Sequence, residues 1–335
     1  AGFFHYDPAA LAGPRIGLAP IEDFAYPLAG ALLLPALWAA FARGGADRVS
    51  AFTQFVLSSR PVSWINTAFP FGAAYLMVTR EIDWVLLVGF LYFLIPYNLA
   101  MYGINDVFDY ESDLANPREG GMEGALLAPR LHRPILWASF LTNVPFLLLL
   151  ALAGGPATWI ALAVSVFAVI AYSAKGLRFK ERPFLDSITS STHFVSPAVV
   201  GFTLAGAEFA TPLVLLLLAF FLWGMAAHAF GAIQDIGPDR EAGIHSVATV
   251  IGARATARLA LVLWALAGAA MLVTPWPGPL AALLAVPYLV NCAPWWNVTD
   301  ATSGQTNVAW RRFIWLNYFS GFLATLILIM EWNLS

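Results

Sequence analysis

The chain has 335 residues, of which 60% are hydrophobic and 11% charged, and its formal net charge is −3. Soluble domains carry roughly 45–50% apolar and about 25% charged residues, so this composition excludes an ordinary soluble domain and favours an integral membrane protein. No basic run indicates nucleic acid as a partner, and the one cysteine, Cys292, can form no internal disulfide.

Ten apolar stretches are long enough, or nearly so, to cross a bilayer. They are expected to be helices, because hydrocarbon offers no partner to backbone N–H and C=O groups, which must then bond within each segment. In chain order the predicted spans are 24–42, 62–79, 84–104, 134–153, 157–174, 188–207, 211–233, 257–275, 279–295 and 313–331. The sequence therefore predicts an all-α integral membrane fold.

Lysine and arginine residues are distributed unevenly over the connections between these spans. All of the 17 except Arg15 and Arg80 lie in the following connections: 43–61, 105–133, 175–187, 234–258 and 296–312. The positive-inside rule places these five connections in the cytoplasm. We therefore expect a protein of the cytoplasmic membrane whose functional site faces the cytoplasm, where the long polar connections gather.

The connection after the third span contains three aspartates at helical spacing. Asp106, Asp109 and Asp113 are three and four residues apart, so a helix would carry all three on one face. Carboxylates on one face repel each other, and a bound divalent cation would remove that repulsion. Mg²⁺ is such a cation, since it binds carboxylates together with substrate phosphates. The alternative interpretation is a solvated acidic loop, or an N-terminal helix cap with ordinary salt bridges.

A second pair of aspartates follows the seventh span. Asp235 and Asp239 are four residues apart, and Gly237-Pro238 between them is expected to bend this helix end. Two acidic motifs at matching membrane depth, in a chain with few charges, favour a functional site over solvated loops. They predict one cation in each motif with a diphosphate between the two, which is the arrangement of two-metal phosphate chemistry.

The connection between the fifth and sixth spans is basic. It holds Lys175, Arg178, Lys180 and Arg182 within eight residues. One interpretation is a positively charged anchor at the cytoplasmic face. The other is a clamp for a diphosphate, in which arginine supplies a bidentate fork and lysine a point charge. The two interpretations are compatible.

Two histidines lie within predicted spans. His228 precedes Asp235 by seven residues, so both side chains can lie on one face of that helix. Whether His228 borders the functional site or bonds to a neighbouring helix stays open. His193 is expected to bond to a neighbouring helix.

These motifs together resemble those of the UbiA superfamily of intramembrane prenyltransferases. The resemblance is carried by Asn105-Asp106-x-x-Asp109-x-x-x-Asp113, Asp235-x-x-x-Asp239-x-x-x-Gly243, Tyr172-Ser173…Lys175…Arg178-x-Lys180…Pro183…Asp186, and Arg60-Pro61 with Asn66. It extends over residues 52–331 and nine predicted spans. It implies a nine-helix UbiA-like bundle plus one extra N-terminal transmembrane helix.

The resemblance also implies roles for particular side chains. Asp106, Asp109 and Asp113 would bind one Mg²⁺ ion, and Asp235 and Asp239 a second. The diphosphate would be held by Asn66, Asn105, Lys175, Arg178 and Lys180, with Tyr172 beside them. Arg60, Asp186 and His228 are further candidates near this site.

Two segments resemble proteins of carotenoid synthesis. The run 116–126 resembles the lycopene elongase branch of the superfamily. Ala19-Pro20-Ile21-Glu22-Asp23-Phe24 resembles the end of a heterodimeric-type lycopene cyclase subunit. This divides the chain into a cyclase-like segment, 1–48, and a prenyltransferase domain, 49–335. Glu22 and Asp23 are either proton donors of a complete cyclase or the polar first turn of a remnant helix.

The function implied is Mg²⁺-dependent transfer of a dimethylallyl group from its diphosphate to the end of lycopene, with or without hydration. Membrane lipid surrounds the chain, and lycopene cyclase subunits are candidate partners. Within the superfamily the alternative is a quinone, haem or chlorophyll-type acceptor. From other classes the alternatives are a membrane transporter and a non-catalytic partner of a cyclase.

Overall fold

The computed structural model describes residues 51–110 and 127–334, together with a short antiparallel pair of strands, β1 (Arg15–Ile16) and β2 (Ala19–Pro20). Several predictions lie outside the described residues: the span 24–42, the run 116–126, and Glu22, Asp23 and Asp113.

The rest of the described chain is helical. Its helices are α1 (Ala51–Ser58), α2 (Trp64–Thr79), α3 (Trp84–Leu94), α4 (Pro96–Phe108), α5 (His132–Ala153), α6 (Pro156–Ser173), α7 (Leu185–Leu204), α8 (Thr211–Ala232), α9 (Ile236–Glu241), α10 (Val247–Ile251), α11 (Ala253–Leu272), α12 (Ala285–Cys292) and α13 (Asn307–Leu334). Short 3₁₀ segments are Pro61–Ser63, Pro129–Leu131, Phe179–Glu181, Ile233–Asp235, Gly278–Leu284, Ala293–Trp295 and Asp300–Thr306.

Seven helical segments of the described chain are long and apolar enough to cross a membrane: Trp84–Phe108, Pro129–Ala153, Pro156–Ser173, Thr211–Glu241, Ala253–Leu272, Gly278–Trp295 and Asp300–Leu334. The prediction of an all-α membrane fold is confirmed. The predicted spans 62–79 and 188–207 form helices that fall below this threshold. Helix α2 has 16 residues, and α7 is rich in serine and threonine and carries Asp186 and His193.

The predicted span 84–104 is two helices, broken between Leu94 and Pro96. Proline lacks an N–H and clashes with the preceding turn, so it ends one helix and begins the next. Asn98 stabilises this break, because its Nδ2 donates to the carbonyl oxygens of Phe93 (2.8 Å) and Leu94 (3.1 Å). The side-chain amide thereby supplies donors that the interrupted helix lacks. Helix α4 then continues to Phe108, so Asn105 and Asp106 lie in its last turn.

Helices α2 and α7 pack closely at Gly201. A Cβ atom at this position would lie 2.6 Å from the carbonyl oxygen of Phe71, so a larger residue would push the two helices apart. A second packed region joins α8, α11, α12 and α13 around the buried rings of Trp264, Tyr288 and Phe313. These two regions form the walls on either side of a large internal cavity.

Candidate functional site

The first acidic motif lies at the C-terminal end of α4, where Asp106 and Asp109 are 1% and 3% exposed. This position is unfavourable for a carboxylate, because the helix dipole is negative there and burial removes water. Cations offset both costs. Arg60 Nη2 donates to Asp106 Oδ1 at 2.9 Å. Asp109 forms an ion pair with Lys180 and lies 3.6 Å from Arg178 Nη2.

Both arginines of this cluster have an unusual backbone conformation. Arg60 has φ 47° and Arg178 φ 40°, which is the left-handed region that non-glycine residues seldom adopt. Such conformations cost about 1–3 kcal/mol and concentrate at functional sites. The Arg60 guanidinium also lies 4.5 Å from the ring centroid of Tyr102, a cation–π contact. Strained backbone at Arg60, just before the Pro61–Ser63 turn, and at Arg178, within the 174–184 loop, therefore coincides with the buried carboxylates at the C-terminal end of α4.

The basic connection folds back over the first motif. Phe179–Glu181 forms a 3₁₀ turn that places Lys180 against Asp109. Arg178 also pairs with Glu181, and this guanidinium lowers the pKa of the Glu181 carboxyl below its usual range. Lys175 is exposed at the edge of the site. The structure thus brings Arg178 and Lys180 to the acidic motif and leaves Lys175 to solvent.

Asn105 connects the motif to α6. Its Nδ2 donates to Asp109 Oδ2 at 2.6 Å and to Ser173 Oγ at 3.0 Å. Ser173 was not among the residues assigned a role from the sequence, although it adjoins Tyr172 in the same motif. The ring of Tyr172 contacts His193 and His228 edge-on, at centroid distances of 5.2 and 6.4 Å.

The second acidic motif lies just after α8 and in α9, and a neighbouring arginine holds this segment in position. Asp235 ends a 3₁₀ turn after α8, Asp239 lies in α9, and both are half-buried. The helix changes to a 3₁₀ turn at Ile233–Asp235, and the predicted bend residues Gly237-Pro238 lie inside α9. Arg240 fixes this segment by donating to Asp300 Oδ2 (2.7 Å) and to the carbonyl oxygen of Thr249 (2.8 Å).

Asp186 joins the two halves of the site. Its carboxylate is fully buried and accepts hydrogen bonds from the backbone N–H groups of Ser187 and Val247, both at 2.7 Å. Ser187 lies in the first turn of α7, which follows the basic loop, and Val247 begins α10, which follows the second motif. Asp186 therefore holds these two segments together without reaching the ion-pair cluster itself.

Replacing Asp186 with alanine is expected to lower the melting temperature in detergent and to raise KM for the substrate that binds at the two motifs. The change leaves two buried N–H groups without acceptors, at about 1–3 kcal/mol each. Asp186→Asn retains one acceptor oxygen, so its melting temperature and its KM should lie between those of Asp186→Ala and those of the unchanged protein. A melting temperature and KM equal to those of the unchanged protein in Asp186→Ala would contradict this role.

A cavity of about 1500 Å³ runs beside the site, between α2, α7, α8, α11, α12 and α13. At the end nearest the motifs it is bordered by Pro61, Asn66 and His228, and at the far end by Glu208 and Glu331. Pro61 and Val78 both border the cavity. Seventeen residues separate them along the chain, so the cavity extends roughly 25 Å at 1.5 Å per helical residue. Its walls between these ends are mostly apolar. The cavity therefore has room for a long apolar molecule with one end near Arg60.

The carboxylates present are suitable ligands for Mg²⁺, which prefers hard oxygen donors. The described residues contain no group of three Asp, Glu, His or Cys side chains close enough to hold a metal by themselves. Asp113, the third carboxylate of the first motif, is outside the described residues. Two carboxylates per motif agree with a site in which substrate phosphate oxygens and water supply the remaining ligands.

The sequence matches the model of the UbiA prenyltransferase family over residues 67–318. The chain belongs to this family. It is 48% identical to the C(50) beta-cyclic carotenoids biosynthesis protein LbtBC of Dietzia sp., over 98% of this chain and 85% of that protein. It is 54% identical to the lycopene elongase/hydratase of Corynebacterium glutamicum, over 82% of this chain and 96% of that protein.

Solved structures confirm the UbiA fold. A UbiA homolog from Archaeoglobus fulgidus bound to GPP and Mg²⁺ has a TM-score of 0.57 at 18% identity, over 80% of this chain and 99% of that one. A structure of digeranylgeranylglyceryl phosphate synthase has a TM-score of 0.59 at 15% identity, over 80% of this chain and 96% of that one. The predicted membership of the UbiA superfamily is confirmed by the family match and by the two relatives.

Proposed function

We propose that the chain transfers a dimethylallyl group from dimethylallyl diphosphate to the end of lycopene. The structural observation that carries this proposal is the apolar cavity that begins at Pro61, beside Arg60, and extends along α2 and α13. A polyene hydrocarbon fits such walls, because it has no polar group to satisfy. Relatives at 48% and 54% identity are named for fifty-carbon carotenoids and for lycopene elongation and hydration.

These observations favour lycopene over the quinone, haem and chlorophyll-type acceptors. Those acceptors carry hydroxyl or carboxylate groups, which need polar partners when buried. Membership of a prenyltransferase family likewise supports an enzyme over a transporter or a non-catalytic cyclase partner.

Two Mg²⁺ ions are proposed as cofactors. Asp106, Asp109 and Asp113 would hold one ion, and Asp235 and Asp239 the other. Solved UbiA homologs bound to DMAPP or GPP together with Mg²⁺ support Mg²⁺ as the cofactor. When bound, Mg²⁺ neutralises the negative charge that develops on the diphosphate as it leaves.

The cationic side chains near the first motif are proposed to bind the diphosphate as well as the carboxylates. Arg60, Arg178 and Lys180 pair with carboxylates of the first motif. With a diphosphate present, the arginine forks can bind its oxygens as well, and Lys180 adds a point charge. Asn105, next to the pairs, and Asn66, on the cavity wall, are the proposed amide donors. Lys175 and Tyr172 are proposed to border the diphosphate.

The chemistry after ionisation needs an environment without free water. The allylic cation is attacked by the terminal double bond of lycopene, which leaves a tertiary cation that loses a proton or takes up water. Apolar walls such as Phe69, Phe194 and Phe220 exclude stray water from the first cation. Aromatic faces also stabilise positive charge.

We also propose that the chain divides after residue 48 into an N-terminal segment and a prenyltransferase domain. The family match begins at residue 67, and the Dietzia protein matches 98% of the chain where the Corynebacterium protein matches 82%. This difference supports a segment, 1–48, added to a prenyltransferase domain, 49–335. Cyclase subunits are proposed as the partners of that segment. The cytoplasmic orientation is proposed from the lysine and arginine distribution.

Product analysis tests the proposed function. Membranes containing the protein, given lycopene, dimethylallyl diphosphate and Mg²⁺, are expected to yield carotenoids heavier by one or two five-carbon units. Chromatography and mass spectrometry identify them, and EDTA should abolish their formation because the carboxylates then lack the ion. Membranes without the protein are the control. Folded protein that binds the donor but forms no prenylated carotenoid would contradict the lycopene assignment.

A further inference from the structure

The last step of the proposed reaction requires a group that accepts a proton. The cavity offers few candidates: among the described residues that border it, the titratable side chains are Glu208, His228, Tyr288, Tyr318 and Glu331. The two glutamates lie at the end remote from the acidic motifs. Phenols are poor bases near neutral pH, and the Tyr288 hydroxyl already donates to Asn317 Oδ1 at 3.0 Å. The imidazole of His228 is the remaining group.

His228 lies at the depth where the reacting carbons are expected. It precedes Asp235 by seven residues along α8 and the turn that follows, so it is roughly 10 Å deeper than that carboxylate. Asn66 follows Arg60 by six residues and borders the cavity at a similar depth, roughly 9 Å. A diphosphate held by the motifs and by Asn66 would direct its attached carbon to this depth, so the tertiary cation formed next to that carbon would lie near His228.

The surroundings of His228 hold its ring in place. Tyr172 contacts it edge-on at 6.4 Å, and the same tyrosine contacts His193 at 5.2 Å. Tyr172 adjoins Ser173, which accepts a hydrogen bond from Asn105 of the first motif. His228 borders the cavity, whereas His193 is 3% exposed and does not border it. Two imidazoles thus share one tyrosine, and one of them reaches the reaction space.

We infer that His228 is the base that ends the reaction, an inference that rests on the proposed function. The C–O bond of the donor breaks and its electron pair leaves with the diphosphate. The π pair of the lycopene double bond forms the new C–C bond and leaves a tertiary cation. His228 then takes a proton from a carbon beside that cation, whose C–H pair becomes the new double bond. In the hydrating course a water oxygen bonds to the cation, and its proton passes to the same imidazole.

The competing acceptor is the released diphosphate, which lies at the motif end of the cavity. If it took the proton, the identity of residue 228 would not affect the product. If His228 takes it, removing the imidazole should slow proton loss more than hydration, because a protonated alcohol can pass its proton to water whereas the C–H group needs a base in contact. The imidazolium formed then returns its proton to diphosphate or water as the products leave.

The test compares His228→Phe and His228→Gln with His193→Phe. Phenylalanine retains a ring against Tyr172 and removes the base, and glutamine retains a polar group that cannot accept the proton. Product formation in H₂¹⁸O is measured together with the ratio of ¹⁸O-labelled hydroxylated carotenoid to unhydroxylated carotenoid. Binding of dimethylallyl S-thiolodiphosphate with Mg²⁺, read as thermal stabilisation, reports an intact donor site.

Both His228 variants are expected to bind the thiolodiphosphate normally and to form product about 100-fold more slowly. Their residual product should show a changed ratio, which does not depend on how much protein is folded. His193→Phe should retain the ratio of the unchanged protein. A rate within threefold of the unchanged protein and the same ratio, in either His228 variant, would overturn the inference. The proposed function would stand in that case, because it depends on the product of the unchanged protein.

Discussion

Replacing Asp109 with asparagine is expected to lower prenyl transfer by about 100- to 1000-fold, the usual cost of removing one charge-stabilising group from an active site. Asp109 is 3% exposed, accepts from Asn105 and pairs with Lys180 and Arg178. Asparagine has nearly the same size but no charge, so it should weaken both the Mg²⁺ site and the pairs that position the two cations. Initial rates over a Mg²⁺ titration measure the effect, and half-saturation should move to higher Mg²⁺.

Asp300→Asn is the matched control for this change. Asp300 also forms an ion pair with an arginine, Arg240 at 2.7 Å, but its side chain is 42% exposed and lies on another loop. Exposed pairs contribute about 0–1 kcal/mol. Asparagine keeps an acceptor oxygen for Arg240, and Arg240 also stays bonded to the carbonyl oxygen of Thr249, so the second motif should keep its place and the rate should stay within about fivefold of the unchanged rate. Equal losses in Asp109→Asn and Asp300→Asn would indicate a general effect of charge. A rate above one tenth of normal in Asp109→Asn, with an unchanged Mg²⁺ titration, would remove Asp109 from the site.

The bundle could be predicted from hydropathy because the bilayer imposes one rule on every span: its backbone must be satisfied internally. This rule predicts the approximate positions of the helices, but it does not predict where local sequence interrupts a helix. Pro96 divides one predicted span into α3 and α4, and the amide of Asn98 makes this break tolerable. Nothing in the hydropathy of 84–104 distinguishes a kinked helix from two helices.

The polar residues of the site could be predicted because charged groups are rare in this chain and recur at helical spacing. Their pairing could not be predicted. Arg60 and Asp106 are 46 residues apart, and only packing of the helices shows that they meet at 2.9 Å. The role of Asp186 could not be predicted for the same reason, since its partner Val247 begins α10, 61 residues further along the chain.

The cavity is the feature that sequence alone conveys least. Its wall combines residues from six helices, and most of them are the same apolar types that face lipid. The sequence cannot separate a phenylalanine that lines a tunnel from one that contacts acyl chains, because both environments are hydrocarbon. Gly321 illustrates this: it is one small residue in the apolar helix α13, yet it opens onto the cavity.

Gly321→Phe is expected to weaken the binding of lycopene without changing the binding of the diphosphate donor. A Cβ built on Gly321 meets no atom within 4 Å, so the ring can enter the cavity without displacing a helix. The site lies fourteen residues along α13 from Asn307, roughly 21 Å below the loop of Asp300. Overfilling costs about 1–3 kcal/mol, a loss of roughly 5- to 150-fold in acceptor affinity. KM for lycopene should rise, while Mg²⁺-dependent binding of dimethylallyl S-thiolodiphosphate stays unchanged.

Two further variants separate blockage of the cavity from damage to α13. Leu323→Phe adds a ring to the same helix at a position that does not border the cavity, so acceptor use should stay near normal. Gly321→Ala adds only a methyl group and should produce a small rise in KM for lycopene. A graded loss from alanine to phenylalanine at residue 321, absent at residue 323, would show that the polyene occupies the cavity this far from the diphosphate. Normal turnover of lycopene by Gly321→Phe would mean instead that the acceptor reaches the allylic cation from the lipid side, leaving the inner part of the cavity unused.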